Sequence, residues 1–178
     1  MPDRIRLLNQ QGNRAIAARK YEDARAAFAQ LIAESPDSAE GYLGLAKTLE
    51  RTHDHRSIID LVEPVAGKIR TPRLLRALGD AYRILANQGD RSATDPAIYW
   101  YIAYLRERPD AVVHYYLGEL FREQKHDDVA ALEHFRASWS LDPGSRAVYQ
   151  AALASARRLG DLEEARRLVA AWSEFGRE

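Results

Sequence analysis

The chain has 178 residues, 26 Lys and Arg against 26 Asp and Glu, five His and no Cys, which is room for about one domain of roughly 100–200 residues. A net charge of zero argues against a general polyanion or anionic-membrane binder, and 46% hydrophobic with 29% charged residues is far from the balance of a disordered chain. The lack of cysteine removes disulfides, thiolate nucleophiles and cysteine-rich zinc sites together.

The first residues, Met1-Pro2-Asp3-Arg4-Ile5-Arg6, are polar, and nothing later approaches the roughly 18 uninterrupted apolar residues of a membrane span. No signal or anchor is visible, and a cytoplasmic location is the expectation. In Tyr21 to Ala33, residues Ala24, Phe28 and Leu31 recur at the steps that line one helix face. The segment Gly41-Tyr42-Leu43-Gly44-Leu45-Ala46-Lys47 has glycines and a lysine but lies in a helical pattern and lacks the ending of a phosphate loop. His53-Asp54-His55 is three adjacent ligand types on one turn, which does not make a coordination sphere by itself. Gly67 is expected to close its helix in the left-handed conformation, and Thr71-Pro72 to open the next with a cap and a proline at the first position. Residues 86–95 read as an inserted loop, followed by Thr94-Asp95-Pro96 as an N-cap; Asp127 or Asp128 caps a later helix. Carboxylates such as Glu163-Glu164 fall on solvated helix faces, with no sign of a pair tuned for acid–base work. Strand-like alternation is missing, so the fold class is all-α.

The helices repeat. Pro36, Pro109 and Pro143 each follow a helix, the last two 34 residues apart, while Gly12, Gly79 and Gly118 sit inside a preceding one. Units begin near Ile5, Ala39, Pro72, Ala111 and Arg146, in steps of 34, 33, 39 and 35 residues. Their bounds are about 5–38, 39–71, 72–110, 111–145 and 146–178, a single array over 1–178. Within the units a small residue precedes a bulky one: Ala24 with Phe28, Ala97 with Tyr101, Ala131 with Phe135, Ala165 with Val169.

Leu78-Gly79 with Tyr82, Leu117-Gly118 with Phe121, Arg19-Lys20-Tyr21-Glu22-Asp23-Ala24 and Gly160-Asp161-Leu162-Glu163-Glu164-Ala165 resemble the tetratricopeptide repeat family. The resemblance spans nearly the whole chain and implies a right-handed α-α superhelix, a solenoid whose first helices line a concave groove. It places Asn9 and Asn13 of the first unit, Lys47 and Arg51 of the second, Arg73, Arg76 and Arg83 of the third, Tyr115, Glu119 and Arg122 of the fourth, and Arg157 and Arg158 of the fifth in that groove. In units three to five, six Arg face Asp80, Glu119 and Glu123. Arginine forks two hydrogen bonds onto a carboxylate, so an acidic peptide or acidic partner surface is the expected ligand. The basic clamp by which one branch of the family holds a chaperone tail is mostly absent: Asn13 matches and Arg73 is conservative, but Asn9, Gly44 and Ala77 depart from it. His114 stands where the pattern prefers an aromatic; Tyr101 and Tyr104 hold core places, with Tyr99, Trp100 and Tyr115 undecided.

The family's polar capping helix does not follow the last repeat, so Leu168, Val169, Trp172 and Phe175 are left to be partly exposed, covered by a second copy, or covered in a longer protein. The leading reading is a non-catalytic interaction module, an adaptor, assembly factor or co-chaperone, with no enzyme activity, cofactor or metal. The alternatives are a self-associating scaffold, in which a homodimer forms through Trp172 and Phe175, and, with less support, RNA binding. Lys20, Lys47, Lys68 and Lys125 are the only lysines among the 26 basic residues, the arginine bias of a GC-rich bacterial genome.

Overall fold

The computed structural model describes residues 2–175, with side chains from Asp3 to Glu174. They form ten α-helices: α1 (Pro2–Ala17), α2 (Tyr21–Glu34), α3 (Ala39–Arg51), α4 (His55–Ala66), α5 (Pro72–Asn87), α6 (Thr94–Leu105), α7 (Ala111–Glu123), α8 (Asp128–Leu141), α9 (Arg146–Arg158) and α10 (Leu162–Phe175). A 3-10 turn, Arg91–Ala93, leads into α6, and no strand occurs among the described residues. Consecutive helices pack as hairpins, α1 with α2, α3 with α4, α7 with α8 and α9 with α10, while α5 and α6 take the third place in the series. The chain divides into two compact units, Met1–Trp100 and Tyr101–Glu178, with α6 contributing to both.

In the first unit, each hairpin packs on the next, and first helices also touch one another, α1 with α3 and α3 with α5. Nearest-neighbour packing of this kind lets hairpins too small to bury their own faces share one core. Phe28 on α2 is fully buried and shows why glycine recurs in the first helices. A Cβ on Gly12 of α1 would stand 2.5 Å from the Phe28 ring, and one on Gly44 of α3 would overlap the same ring. One aromatic thus sits in the space that two missing side chains leave. Beside it, Tyr42, Leu49, Ile58, Val62, Leu74, Leu78 and Ala81 form a second cluster, against which Trp100 packs.

The second unit repeats the device. Phe135 on α8 is fully buried against Gly118 of α7, where a Cβ would overlap its ring. Ala131, Leu132, Val148, Ala152, Ala156 and Leu168 complete that core. Ser138 is buried as well and donates to the Ala111 carbonyl at 2.7 Å, tying the end of α8 to the start of α7.

The hairpin turns share a backbone device. In four of them a residue at positive φ, Arg19 (57°), His53 (58°), Gly89 (102°) and Gly160 (70°), precedes one whose N–H reaches a carbonyl five residues back: Lys20 to Ala15, Asp54 to Leu49, Asp90 to Leu85, Asp161 to Ala156. This closes the first helix by a Schellman-type bond. The fourth turn is longer: Lys125 reaches Leu120, and positive φ falls next, at His126 (54°). Asp54, Asp90, Asp127 and Asp161 then accept from backbone N–H groups of the helix that follows, so one aspartate ends a turn and starts a helix.

Three expectations from the sequence are corrected. Gly67 at the end of α4 is right-handed, with φ −73° and ψ −31°, because Lys68 and Ile69 continue the backbone bonding to Val65. Residues 86–95 are mostly helical: α5 runs to Asn87 and the 3-10 turn joins α6 directly. Thr94 is therefore the first residue of α6, buried and right-handed, and the cap belongs to Asp90. Thr71 does cap α5, accepting from Leu74, with Pro72 behind it, and Tyr101 and Tyr104 are buried as expected.

Candidate functional site

In the first unit, α3, α5 and the start of α4 line a half-open cavity of about 300 Å³. Leu43, Ala46, Ile58, Ala77, Ala81 and Ile84 supply its apolar walls, and Lys47, Glu50, Arg73, Arg76 and Asp80 its polar ones. His55, the first residue of α4, completes the lining and is only 6% exposed. Burial, with His53 adding to it, holds the His55 imidazole below its usual pKa, so at neutral pH it is an uncharged donor and acceptor. A second cavity, of about 330 Å³, opens between α1, the start of α2, and α3; Asn13, Ile16, Arg19, Tyr21, Lys47 and Arg51 line it. Lys47 lies on both.

The structure therefore brings Asn13, Lys47 and Arg51 together, and Lys47, Arg73 and Arg76. Arg76 is matched along its own helix by Asp80 at 3.6 Å, whereas Lys47, Arg51 and Arg73 are exposed and make no ion pair among the described residues. Asn13 donates to the Asn9 side chain at 2.9 Å and to its carbonyl at 2.8 Å, which holds the two amides in one orientation. Arg83 acts on the His55 imidazole from α5.

The second unit places its expected site residues differently. Arg122 lies 2.7 Å from both Glu119 and Glu123, and over the Phe135 ring at 5.5 Å. Tyr115 packs on the same ring at 5.9 Å. Burial raises the Glu119 carboxyl above its usual range, with Arg122 opposing the shift. Arg158 turns to Asp128 of α8 at 3.5 Å, and Arg157 lines a cleft with Leu153, Leu162, Ala165, Arg166, Val169 and Ala170. Trp172 stacks on Tyr149, ring centroids 4.8 Å apart, with Trp139 at 6.0 Å. The Phe175 side chain lies outside the described residues.

The tetratricopeptide repeat family model matches residues 8–38, the first hairpin. Among solved structures, a crystal structure of MamA protein shares 18% identity with a TM-score of 0.81, covering 96% of this chain and 91% of that one. A tetratricopeptide repeat protein from Parabacteroides merdae shares 15% at a TM-score of 0.75, over 99% of this chain and 68% of its own. A thermophilic tetratricopeptide repeat protein of Thermus thermophilus shares 17% at 0.61, over 93% and 88%. The first hairpin matches the tetratricopeptide repeat family, and the chain has the fold of these helical-repeat structures. No curated protein sequence matches it.

Two features of this helical-repeat fold escaped sequence reasoning. His114 and His134 lie one on each helix of the fourth hairpin, Nδ1 to Nδ1 at 3.1 Å, with His134 stacked on Phe121 at 5.4 Å. They are 20 residues apart, and no motif links them. In sequence His55 stands only beside the metal-ligand types His53 and Asp54, whereas in the structure Asp54 is a helix cap and His55 a cavity wall. The signal available was its register: it opens a second helix immediately after a first helix bearing Lys47.

Proposed function

We propose that the protein is a non-catalytic interaction module, a bacterial cytoplasmic adaptor, assembly factor or co-chaperone, that holds an acidic peptide or acidic partner surface on the first helices of its first unit. The observation that carries this reading is the group of exposed cations Lys47, Arg51 and Arg73 around two adjoining cavities, with no ion pair among the described residues. Cations fixed on helices and unmatched within the chain are disposed to accept carboxylates from outside. The fold supports a protein ligand, since helical-repeat arrays present extended surfaces for partners. Among the described residues no helix is long and apolar enough to cross a membrane.

The test is fluorescence anisotropy with labelled octapeptides, Asp/Glu-rich against uncharged, at low and high salt. The acidic peptide should bind more tightly at low salt, and Lys47→Glu with Arg73→Glu should weaken it at least tenfold. Equal affinity of wild type and the double variant overturns the reading.

A second reading, self-association, is favoured by the exposed Leu162 (65%) and Val169 (42%) along the α9–α10 cleft. Light scattering of the wild type and of Leu162→Asp with Val169→Asp decides it: a dimer that becomes a monomer supports it, and a monomer in both excludes it.

A further inference from the structure

The cavity between α1, the start of α2, and α3 is lined by three cations and by no acid. Arg19 comes to it from the α1–α2 turn, and Lys47 and Arg51, four residues apart, come from one face of α3. None of the three makes an ion pair among the described residues. Glu50, between the two on α3, lines the other cavity instead. The half-buried Tyr21 adds a hydroxyl that makes no hydrogen bond to a described residue. Asn13 spends its N–H groups on Asn9, which leaves an anion here to the cations and the phenol.

Arg19 itself is unusual. It sits at φ 57°, where glycine is at ease and a side chain is not, and Gly89 and Gly160 fill the same place in two other turns. The chain tolerates that strain and so sets a guanidinium at the cavity.

A cationic or an apolar occupant is excluded, since apart from Ile16 and Ala17 every lining residue is polar and none is negative. Among anions the number of donors decides. A carboxylate is one charge and is met by a single arginine fork, whereas a phosphomonoester carries about −1.5 to −2 at pH 7 on three acceptor oxygens, enough for two forks and an ammonium together. The extent of the charge then points to its source. A nucleic-acid backbone is held by cations along its length, but the acid-free lining is confined to one cavity of about 330 Å³, and the adjoining cavity already includes Glu50 and Asp80.

We infer that this cavity takes the phosphate of a phosphorylated serine or threonine in the bound partner, with Arg19 and Arg51 forking onto its oxygens, Lys47 supplying the third charge and Tyr21 a hydroxyl donor. That a partner segment lies along these helices is part of the function proposed above, and the inference rests on it.

Fluorescence anisotropy on the full chain separates the two, using acidic octapeptides that carry serine, glutamate or phosphoserine at one central position. Phosphoserine should bind about tenfold more tightly than glutamate, the worth of one added charge-assisted hydrogen bond. Arg19→Gly removes the guanidinium and keeps the left-handed turn, so in this variant the two affinities should converge with no drop in melting temperature. Arg51→Gln should act likewise, while Arg73→Glu, in the other cavity, should weaken both peptides and leave their ratio unchanged. Equal affinity of phosphoserine and glutamate in the wild type, or a preference that survives Arg19→Gly combined with Arg51→Gln, overturns the inference. If Arg73→Glu still weakens the glutamate peptide in that case, the acidic-partner reading stands alone. A phosphoserine preference erased by Arg19→Gly, with the unphosphorylated acidic peptides failing to bind, keeps the phosphate cavity and overturns that reading. Inorganic phosphate or an RNA octanucleotide binding as tightly as the phosphopeptide would make the ligand something other than a phosphorylated protein and overturn the inference too.

Discussion

Burial, with His114 adding to it, pushes the His134 imidazole down to about 4, and burial lowers His114 too against the opposing pull of Asp110. At neutral pH both rings are uncharged, one Nδ1 donating to the other. Because His134 takes up a proton near pH 6.5 in the unfolded chain but not until about pH 4 in the folded one, stability is intact above 6.5 and falls as pH drops through that window. The loss is at most about 1.4 kcal/mol per pH unit for each such group. His55 in the first unit shifts in the same direction. Chemical denaturation at pH 7.5, 6, 5 and 4.5 should show the decline, and His134→Phe, which keeps a ring against Phe121, should flatten it; an equally steep decline in the variant would show that the pair is not its source. None of this was legible in the sequence. His114 could be placed only at a position that prefers an aromatic, and its partner lies on the other helix with no spacing rule to connect them.

Turns and packing faces behave differently at the scale of the element. The glycine–aromatic interlock was legible because it repeats: Gly12 and Gly118 recur in register with Phe28 and Phe135, and the steric reason, a Cβ that would enter a ring, is local and periodic. Gly118→Ala should cost roughly 1–3 kcal/mol, the range for overpacking a filled core, and urea denaturation measures it; a loss below half a kcal/mol would mean that Phe135 moves aside easily. The left-handed turns were half legible. Gly89 and Gly160 advertise them, but Arg19 and His53 adopt the same conformation without glycine's freedom, which costs about 1 kcal/mol. The residue after the turn carries the other half of the device. Asp54 accepts from Ser57 at the start of α4, and hydrogen bonds from Ser57, with Arg25 adding to them, hold its carboxyl below the usual range. His53→Gly should raise stability by about 1 kcal/mol and Asp54→Ala lower it by a similar amount. Thermal melts of the two variants moving in opposite directions would confirm that adjacent residues have opposed roles.

At the scale of the whole molecule, ion pairs among the described residues link neighbouring hairpins. Arg25 on α2 meets Asp54 at 3.4 Å, Arg56 on α4 meets Asp90 at 3.0 Å, Arg136 on α8 meets Glu164 at 2.8 Å, and Arg158 on α9 meets Asp128 at 3.5 Å, each joining one hairpin to its neighbour. The sequence made the arginines of the last three repeats look like a groove of spare charge. Side-chain direction, which no spacing reveals, matches Arg76, Arg122 and Arg158 and leaves Lys47, Arg51, Arg73 and Arg157, of the expected groove cations, without an ion pair among the described residues. Partly exposed pairs of this kind are worth little each, commonly under about 1 kcal/mol, so the order of the array rests on nearest-neighbour apolar contacts. A core substitution should therefore be felt locally. Phe135→Leu is expected to weaken amide hydrogen-exchange protection in the last two hairpins while leaving α1 to α3 at wild-type rates; uniform loss across the chain would show a single cooperative unit instead.

The recurrence of one turn has an evolutionary consequence. Arg19, His53, Gly89 and Gly160 each reverse the chain by the same backbone path, and the aspartate that follows at three of them restarts the helix without help from any distant residue. A hairpin therefore carries its own instructions for beginning and ending. A gene segment encoding one can be duplicated or lost in frame and leave the remaining turns undisturbed, so that copy number, rather than point substitution, becomes the coarse means by which such an array changes the length of surface it offers.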